Sequence, residues 1–185
     1  MIYYAGIGSR ETPASILAAF ETIGEELGRL GLVLRSGRAP GADSAFERGA
    51  IRAQADTEIF VPWPAFPKGS DLATRPAFIF DGLENTQKVA AIESVSRFHP
   101  APDRLSGGAF KLMARNYCQM FGPSVTSPAS SFVVCYTSDG LASGGTGQAI
   151  RMAEEGSIPV LNAHGYEDDP SAFVARVVAF AQTLI

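Results

Sequence analysis

At 185 residues, with 46% apolar and 18% charged side chains, the chain is long enough for one domain with a full core and is not disordered in composition. A formal net charge of −4 counts against a role built on neutralising nucleic-acid phosphates, which usually leaves a basic footprint. No apolar run approaches the roughly 20 residues that cross a bilayer. The start, Met1-Ile-Tyr-Tyr-Ala5, lacks the marks of a signal peptide. Cys118 and Cys135 lack disulfide-framework numbers and metal-ligand spacing; set among apolar residues, they read as small buried hydrophobes in a reducing cytoplasm.

Strand-like and helix-like segments alternate, which predicts an α/β fold: a single Rossmann-like domain over 1–185, its mostly parallel sheet covered by helices on both faces. Residues 2–7 read as a first strand. Pro13 opens a helix with Thr12 as its cap, and Ile16, Phe20, Ile23, Leu27 and Leu30 form one apolar stripe. Gly31 stops that helix, Leu32–Leu34 begins a second strand, 42–54 is a second helix and Glu58–Val61 a third strand. Residues 62–84, punctuated by Pro62, Pro64, Pro67, Gly69, Pro76 and Gly82, read as a long irregular loop, a feature usually functional or mobile. Helices over 85–97 and 107–121 follow, then a buried strand Ser131–Tyr136, a helix over 145–156, a short strand Ile158–Leu161 and a closing helix over 170–184. Repeats, low-complexity tracts and linkers are not apparent.

Three strand ends run into glycine-rich turns, and in an open parallel sheet ligands settle outside the carboxyl ends of the strands. The first turn, Gly6-Ile-Gly8-Ser9-Arg10, sets a hydroxyl and a guanidinium beside a helix N-terminus, where anions bind, although Glu11 takes the place of a third glycine. The second, Ser36-Gly37-Arg38-Ala-Pro-Gly41-Ala-Asp43, lets backbone approach a ligand at Gly37 and Gly41. Asp43 either caps the following helix or meets a ribose hydroxyl, or does both. The third, Asp139-Gly-Leu-Ala-Ser-Gly144-Gly145-Thr146-Gly147-Gln148, gathers glycines, hydroxyls and an amide at a helix start and is the strongest local anion-binding signal.

The ordered set Gly6-x-Gly8-Ser-Arg10, Ser36-Gly-x-Ala-x-Gly-x-Asp43, Phe60-Val-Pro-Trp63, Ala114-Arg115-Asn116 and Gly144-Gly-Thr-Gly147 resembles the SLOG superfamily. Within it the likeness is to the Rossmann domain of DNA-processing protein A (DprA) and its short, often phage-encoded relatives, from residue 3 to about 162. The resemblance implies a Rossmann-like sheet, a homo-oligomer and a site for nucleotide-like ligands. Full DprA proteins usually carry flanking domains and a basic DNA surface, for which this acidic chain has neither length nor charge. The phosphoribohydrolases of the LONELY GUY type pair an Arg with a Glu in a Pro-Gly-Gly-x-Gly-Thr-x-x-Glu loop. Here the loop runs Gly144-Gly-Thr-Gly-Gln-Ala-Ile-Arg151, while Glu154 and Glu155 lie a turn further on, so the acid for N-glycosidic cleavage is missing locally.

Arg115 and Asn116 match a site element of that family and otherwise read as a solvated helix face; Trp63 either stacks on a base or anchors the proline-rich loop. His99 and His164 read as surface histidines. The leading expectation is a binding module for a small phosphate-bearing ligand, a nucleotide or an ADP-ribose-like molecule. Arg10, Arg38 and Arg115 would hold phosphates, and Asp43 and Asp139 would meet ribose hydroxyls. Single-stranded-DNA binding and nucleoside-phosphate N-glycosidase activity are the second and third readings. No catalytic residue, metal site or membrane contact is indicated.

Overall fold

The computed structural model describes residues 1–185. Its strands are β1 (Tyr3–Gly6), β2 (Val33–Ser36), β3 (Thr57–Val61), β4 (Phe78–Ile79), β5 (Phe132–Cys135) and β6 (Val160–Asn162). The helices are α1 (Ala14–Arg29), α2 (Ala42–Arg52), α3 (Asn85–Phe98), α4 (Gly107–Ala114), α5 (Asn116–Phe121), α6 (Gly144–Glu155) and α7 (Pro170–Gln182). The strands form one sheet in the order β4-β3-β2-β1-β5-β6, with every neighbouring pair parallel. The chain builds outward from β1 to β4, then returns to lay β5 against the other side of β1. That reversal is a topological switch point.

Alternation along the strands divides the core into two faces. Tyr4, Phe132 and Val134 point to the side where Ile16, Phe20, Ile23 and Leu27 of α1 meet Phe46 of α2 and Phe173 and Val177 of α7. The stripe read from the α1 sequence is thus the buried one, and each fully buried side chain of this kind contributes about 1.5–3 kcal/mol. Ala5, Val133 and Cys135 face the opposite way, onto Met120 of α5 and Ala149, Met152 and Ala153 of α6. The helices α1 and α2 pack backbone to backbone: a Cβ on Gly24 or Gly49 would fall well under 3.0 Å from a carbonyl oxygen of the facing helix.

Three local expectations change. Thr12 does not cap α1; its hydroxyl donates to the Ser9 carbonyl at 2.6 Å, and Pro13 stands just ahead of the helix without a side-chain cap. The stretch 62–84 is not wholly irregular. It holds a 3₁₀ turn at Asp71–Thr74, begun by the Ser70 hydroxyl accepting from Leu72 N, and the edge strand β4, paired through Phe60–Phe78 and Val61–Ile79. The single helix expected over 107–121 is broken at Arg115 into α4 and α5. Arg115 itself keeps helical dihedrals, φ −63° and ψ −19°, so at about 100° per residue Arg115, Asn116 and Gln119 stay on one side of the chain and all border one cleft.

Candidate ligand cleft at the switch point

Beyond the carboxyl ends of β1 and β5 the two chains stay joined for one more turn, with Ile7 N donating to Val134 O at 3.1 Å and Ser9 N to Tyr136 O at 3.3 Å. They then part, and the space between them is a cleft of about 450 Å³. This lies within the roughly 300–1,000 Å³ usual for small-molecule sites. One wall is Gly8–Glu11, the other Thr137, Ser138 and Ser143–Thr146 at the start of α6; Arg115, Asn116 and Gln119 form the floor. Ile7, Ala39, Leu112, Met113 and Ala149 supply its apolar surface.

The floor is a chain of buried polar groups reaching from α2 to α6. Asp43 Oδ2 accepts from Ala39 N at 3.3 Å and from Arg115 Nη2 at 3.2 Å. Arg115 Nη1 donates to Asn116 Oδ1 at 2.9 Å, and Asn116 Nδ2 donates to Gln148 Oε1 at 2.9 Å. Asp43, Arg115 and Asn116 are 4%, 5% and 6% exposed, so the solvated-face reading of Arg115 and Asn116 does not hold. Burial raises the Asp43 carboxyl above the ordinary carboxylate range, against the pull of Arg115 and the backbone donors. Burial likewise lowers the Arg115 guanidinium, against the attraction of Asp43 and with a further push from Arg10. The expected cap at Asp43 is absent: α2 is preceded by Gly41 at φ 94°, and the carboxylate closes the loop ahead of the helix instead.

Gly37 serves this floor more than it serves a ligand. A Cβ there would lie well under 3.0 Å from the guanidinium of Arg115, which rests on the Gly37 backbone. Gly8 has a comparable role, since its Cβ would collide with that of Ala42. Ser36 is fully buried and does not border the cleft; its hydroxyl donates to Gly6 O at 2.7 Å and ties the ends of β1 and β2 together.

The third loop presents the start of α6 to the cleft. The first amides of a helix have no intrahelical acceptor, and Ser143, in the capping position, makes no side-chain cap; its hydroxyl is turned to Asp139, donating to Oδ1 at 2.9 Å. Gly144 enters the helix at φ 59°, a conformation that favours glycine. Gly144, Gly145 and Thr146 line the cleft. Gly147 instead packs against the carbonyl of Ala142, where a Cβ would clash. That carbonyl accepts from Arg151 Nη1 at 2.7 Å, while Arg151 Nε donates to Phe98 O at 2.8 Å, fastening the loop to the end of α3.

Two aspartate and arginine assignments therefore change. Asp139 lies outside the cleft and organises its own loop, accepting from Leu141 N at 3.0 Å and from Ser143 Oγ. These bonds hold its carboxyl below the usual range. Arg38 is not available to phosphate. It is 1% exposed, its Nη2 sits 2.6 Å from Glu47 Oε1, and it donates further to the carbonyls of Arg75 and Pro76. Arg10, by contrast, is exposed at the rim with no hydrogen bond or ion pair to the rest of the chain. Trp63 takes its anchoring alternative: it meets Phe66 edge-on at 5.4 Å, stands over Gly108 and does not border the cleft.

Sequence reading missed Gln119, Leu112, Met113 and Arg151. The first three sit within a helix pattern indistinguishable from core, and Arg151 acts through backbone carbonyls that no motif encodes.

The same fold occurs in known structures. The chain is similar to the Moco carrier protein of Chlamydomonas rheinhardtii, with a TM-score of 0.56 and 16% identity over 99% of this chain and 96% of that one. It is also similar to DNA-processing protein A from Helicobacter pylori, described for its single-stranded-DNA binding mode, with a TM-score of 0.60 and 16% identity over 99% and 80%. A third match is DprA from Streptococcus pneumoniae, with a TM-score of 0.56 and 17% identity over 97% of this chain and 56% of that one. The likeness is one of fold. No protein-family model matches the sequence, and no curated protein matches it either. The Rossmann-like sheet that the DprA resemblance implied is the one observed.

Proposed function

We propose that the cleft binds a nucleotide or a nucleotide-derived phosphate ligand of the ADP-ribose type. The observation that carries this reading is the pairing of an uncapped helix start at Gly144–Thr146 with the unpaired guanidinium of Arg10 on one 450 Å³ cleft. Backbone N–H groups at a helix start and a free arginine are together suited to phosphate oxygens. In this reading the hydroxyls of Ser9, Thr137 and Ser138, which border the cleft, would meet ribose in place of Asp139, whose carboxylate is turned to its own loop. Titration calorimetry with AMP, ADP and ADP-ribose tests the reading: at least one binds, and Arg10→Ala weakens it about tenfold, the value of one charge-assisted bond. The melting temperature stays unchanged, since Arg10 supports nothing else in the chain. Absence of heat with all three ligands, supported by equilibrium dialysis, removes the proposal.

A second reading, single-stranded-DNA binding, is favoured by the fold shared with the Helicobacter pylori protein. It requires local basic surface on a chain of net charge −4, and predicts a complex whose affinity falls steeply with salt. A mobility shift at low salt decides it.

A further inference from the structure

Seven buried side-chain polar atoms have no hydrogen-bond partner within the chain, and four of them belong to the cleft floor and its neighbour: Arg115 Nε, both amide atoms of Gln119, and Gln148 Nε2. Buried polar groups are nearly always satisfied, because an unmet donor or acceptor costs about 1–3 kcal/mol. Gln119 is the sharpest case. It is 1% exposed, it borders the cleft, and its oxygen and nitrogen are both unmet. Its backbone is fixed, with Ser130 donating through its hydroxyl to Gln119 O at 2.8 Å and through its N–H to Met120 O at 2.7 Å. Asn116, one turn before it, has its amide engaged on both sides. Gln119 is therefore the one side chain here with both a donor and an acceptor unmet, against a single unmet nitrogen on Arg115 and on Gln148.

We propose that Gln119 reads the base of the bound nucleotide, pairing its donor and acceptor with a nucleobase edge that offers an acceptor beside a donor. This rests on the nucleotide reading given above and deepens it. A carboxamide is suited to such an edge, as in the two-bond pairing of Gln with adenine, and a sugar phosphate without a base has nothing comparable. Leu112 and Met113 supply apolar surface along the same cleft for the faces of a planar ring. The ligand then lies with its phosphate at the start of α6 and Arg10 and its base toward α5. Gln119 is a specificity-determining residue, and its role is separable from phosphate capture.

The test is calorimetry of the full chain with AMP, GMP, CMP, UMP and ribose 5-phosphate, on wild type and on Gln119→Leu. At least one nucleotide binds wild type about tenfold or more tightly than ribose 5-phosphate does, the value of two neutral hydrogen bonds. Gln119→Leu removes that margin and leaves ribose 5-phosphate affinity unchanged. If Gln119→Leu does not fold, Gln119→Met, close to glutamine in size and without the carboxamide, serves in its place and also loses the margin. Ribose 5-phosphate binding as tightly as every nucleotide overturns the base-reading role while leaving the phosphate site standing, as does a margin that survives substitution. Failure of all five ligands, and of ADP and ADP-ribose measured beside them, overturns both.

Discussion

Replacing Gly37 by Ala isolates the buried ion pair of the cleft floor. The Gly37 backbone lies outside the left-handed region, so alanine is conformationally acceptable there. The added methyl must nevertheless occupy the space of the Arg115 guanidinium, with its Nη1, Cζ and Nη2 all well inside 3.0 Å. Arg115 is driven off Asp43, leaving a 4% exposed carboxylate with backbone donors alone. Breaking a buried pair by removing one partner costs about 3–5 kcal/mol. Here the guanidinium stays nearby and keeps part of its attraction, so a loss of about 2–4 kcal/mol follows. At about 2–4 °C per kcal/mol for a chain of this size, the melting temperature falls by roughly 4–16 °C. Thermal and urea unfolding of Gly37→Ala, Arg115→Ala and the double variant form a cycle. With Arg115 already truncated the three atoms nearest the methyl are gone, and Gly37→Ala becomes close to neutral, helped by the lower entropy of the unfolded chain. Equal cost in both backgrounds would refute the reasoning.

The Arg115→Leu variant leaves burial as the main influence on Asp43 and raises its folded pKa further. A carboxyl whose folded pKa lies above its unfolded value loses stability as pH rises from about 3.9 toward the folded value. The deficit against wild type is therefore largest at neutral pH and narrows in acid, which urea titrations at pH 7 and 4.5 measure; a widening gap in acid would contradict the assignment. Arg38→Met strands the 1% exposed Glu47 and costs about 3–5 kcal/mol. Adding Glu47→Leu recovers part of this, and neither change alters nucleotide affinity below the melting transition. Asp139, with its carboxyl held low by Leu141 N and Ser143 Oγ, has the opposite sign. Its loop bonds are present above about pH 3.9 and are lost as pH falls through the folded value. The protection of the Leu141 amide from hydrogen exchange, taken relative to its intrinsic rate at each pH, falls over that acid range in wild type, and is already lost at neutral pH in Asp139→Ala.

The architecture was legible because its signals are local. Phe132–Tyr136 is a continuous apolar run of the kind a doubly covered strand needs, and the α1 stripe from Ile16 to Leu27 repeats at helical spacing. The edge strand β4 was not legible: two residues between Pro76 and Gly82 carry no periodicity, and only the ladder to β3 defines them. The burial of Arg115 was not legible either, because its partner Asp43 lies 72 residues away in the chain. The glycine-rich loops were legible as punctuation, and the packing behind some of their glycines was not. At Gly37 and Gly147 the missing side chain makes room for Arg115 and for the Ala142 carbonyl. Arg38 shows the same ambiguity in charge. An arginine beside a glycine suits phosphate equally well, and only the fold brings Glu47 to it.

The central claim is that phosphate is held between the first loop and the start of α6, and backbone amide shift mapping with ADP-ribose tests it most directly. The account predicts the largest perturbations at Gly8, Ser9, Gly144, Gly145 and Thr146, with the side-chain amide of Gln119 following. Shifts confined to the groove between α1 and α7 around Ala18, Thr22 and Val174, or no shifts at saturating ADP-ribose, AMP and ADP, would contradict it.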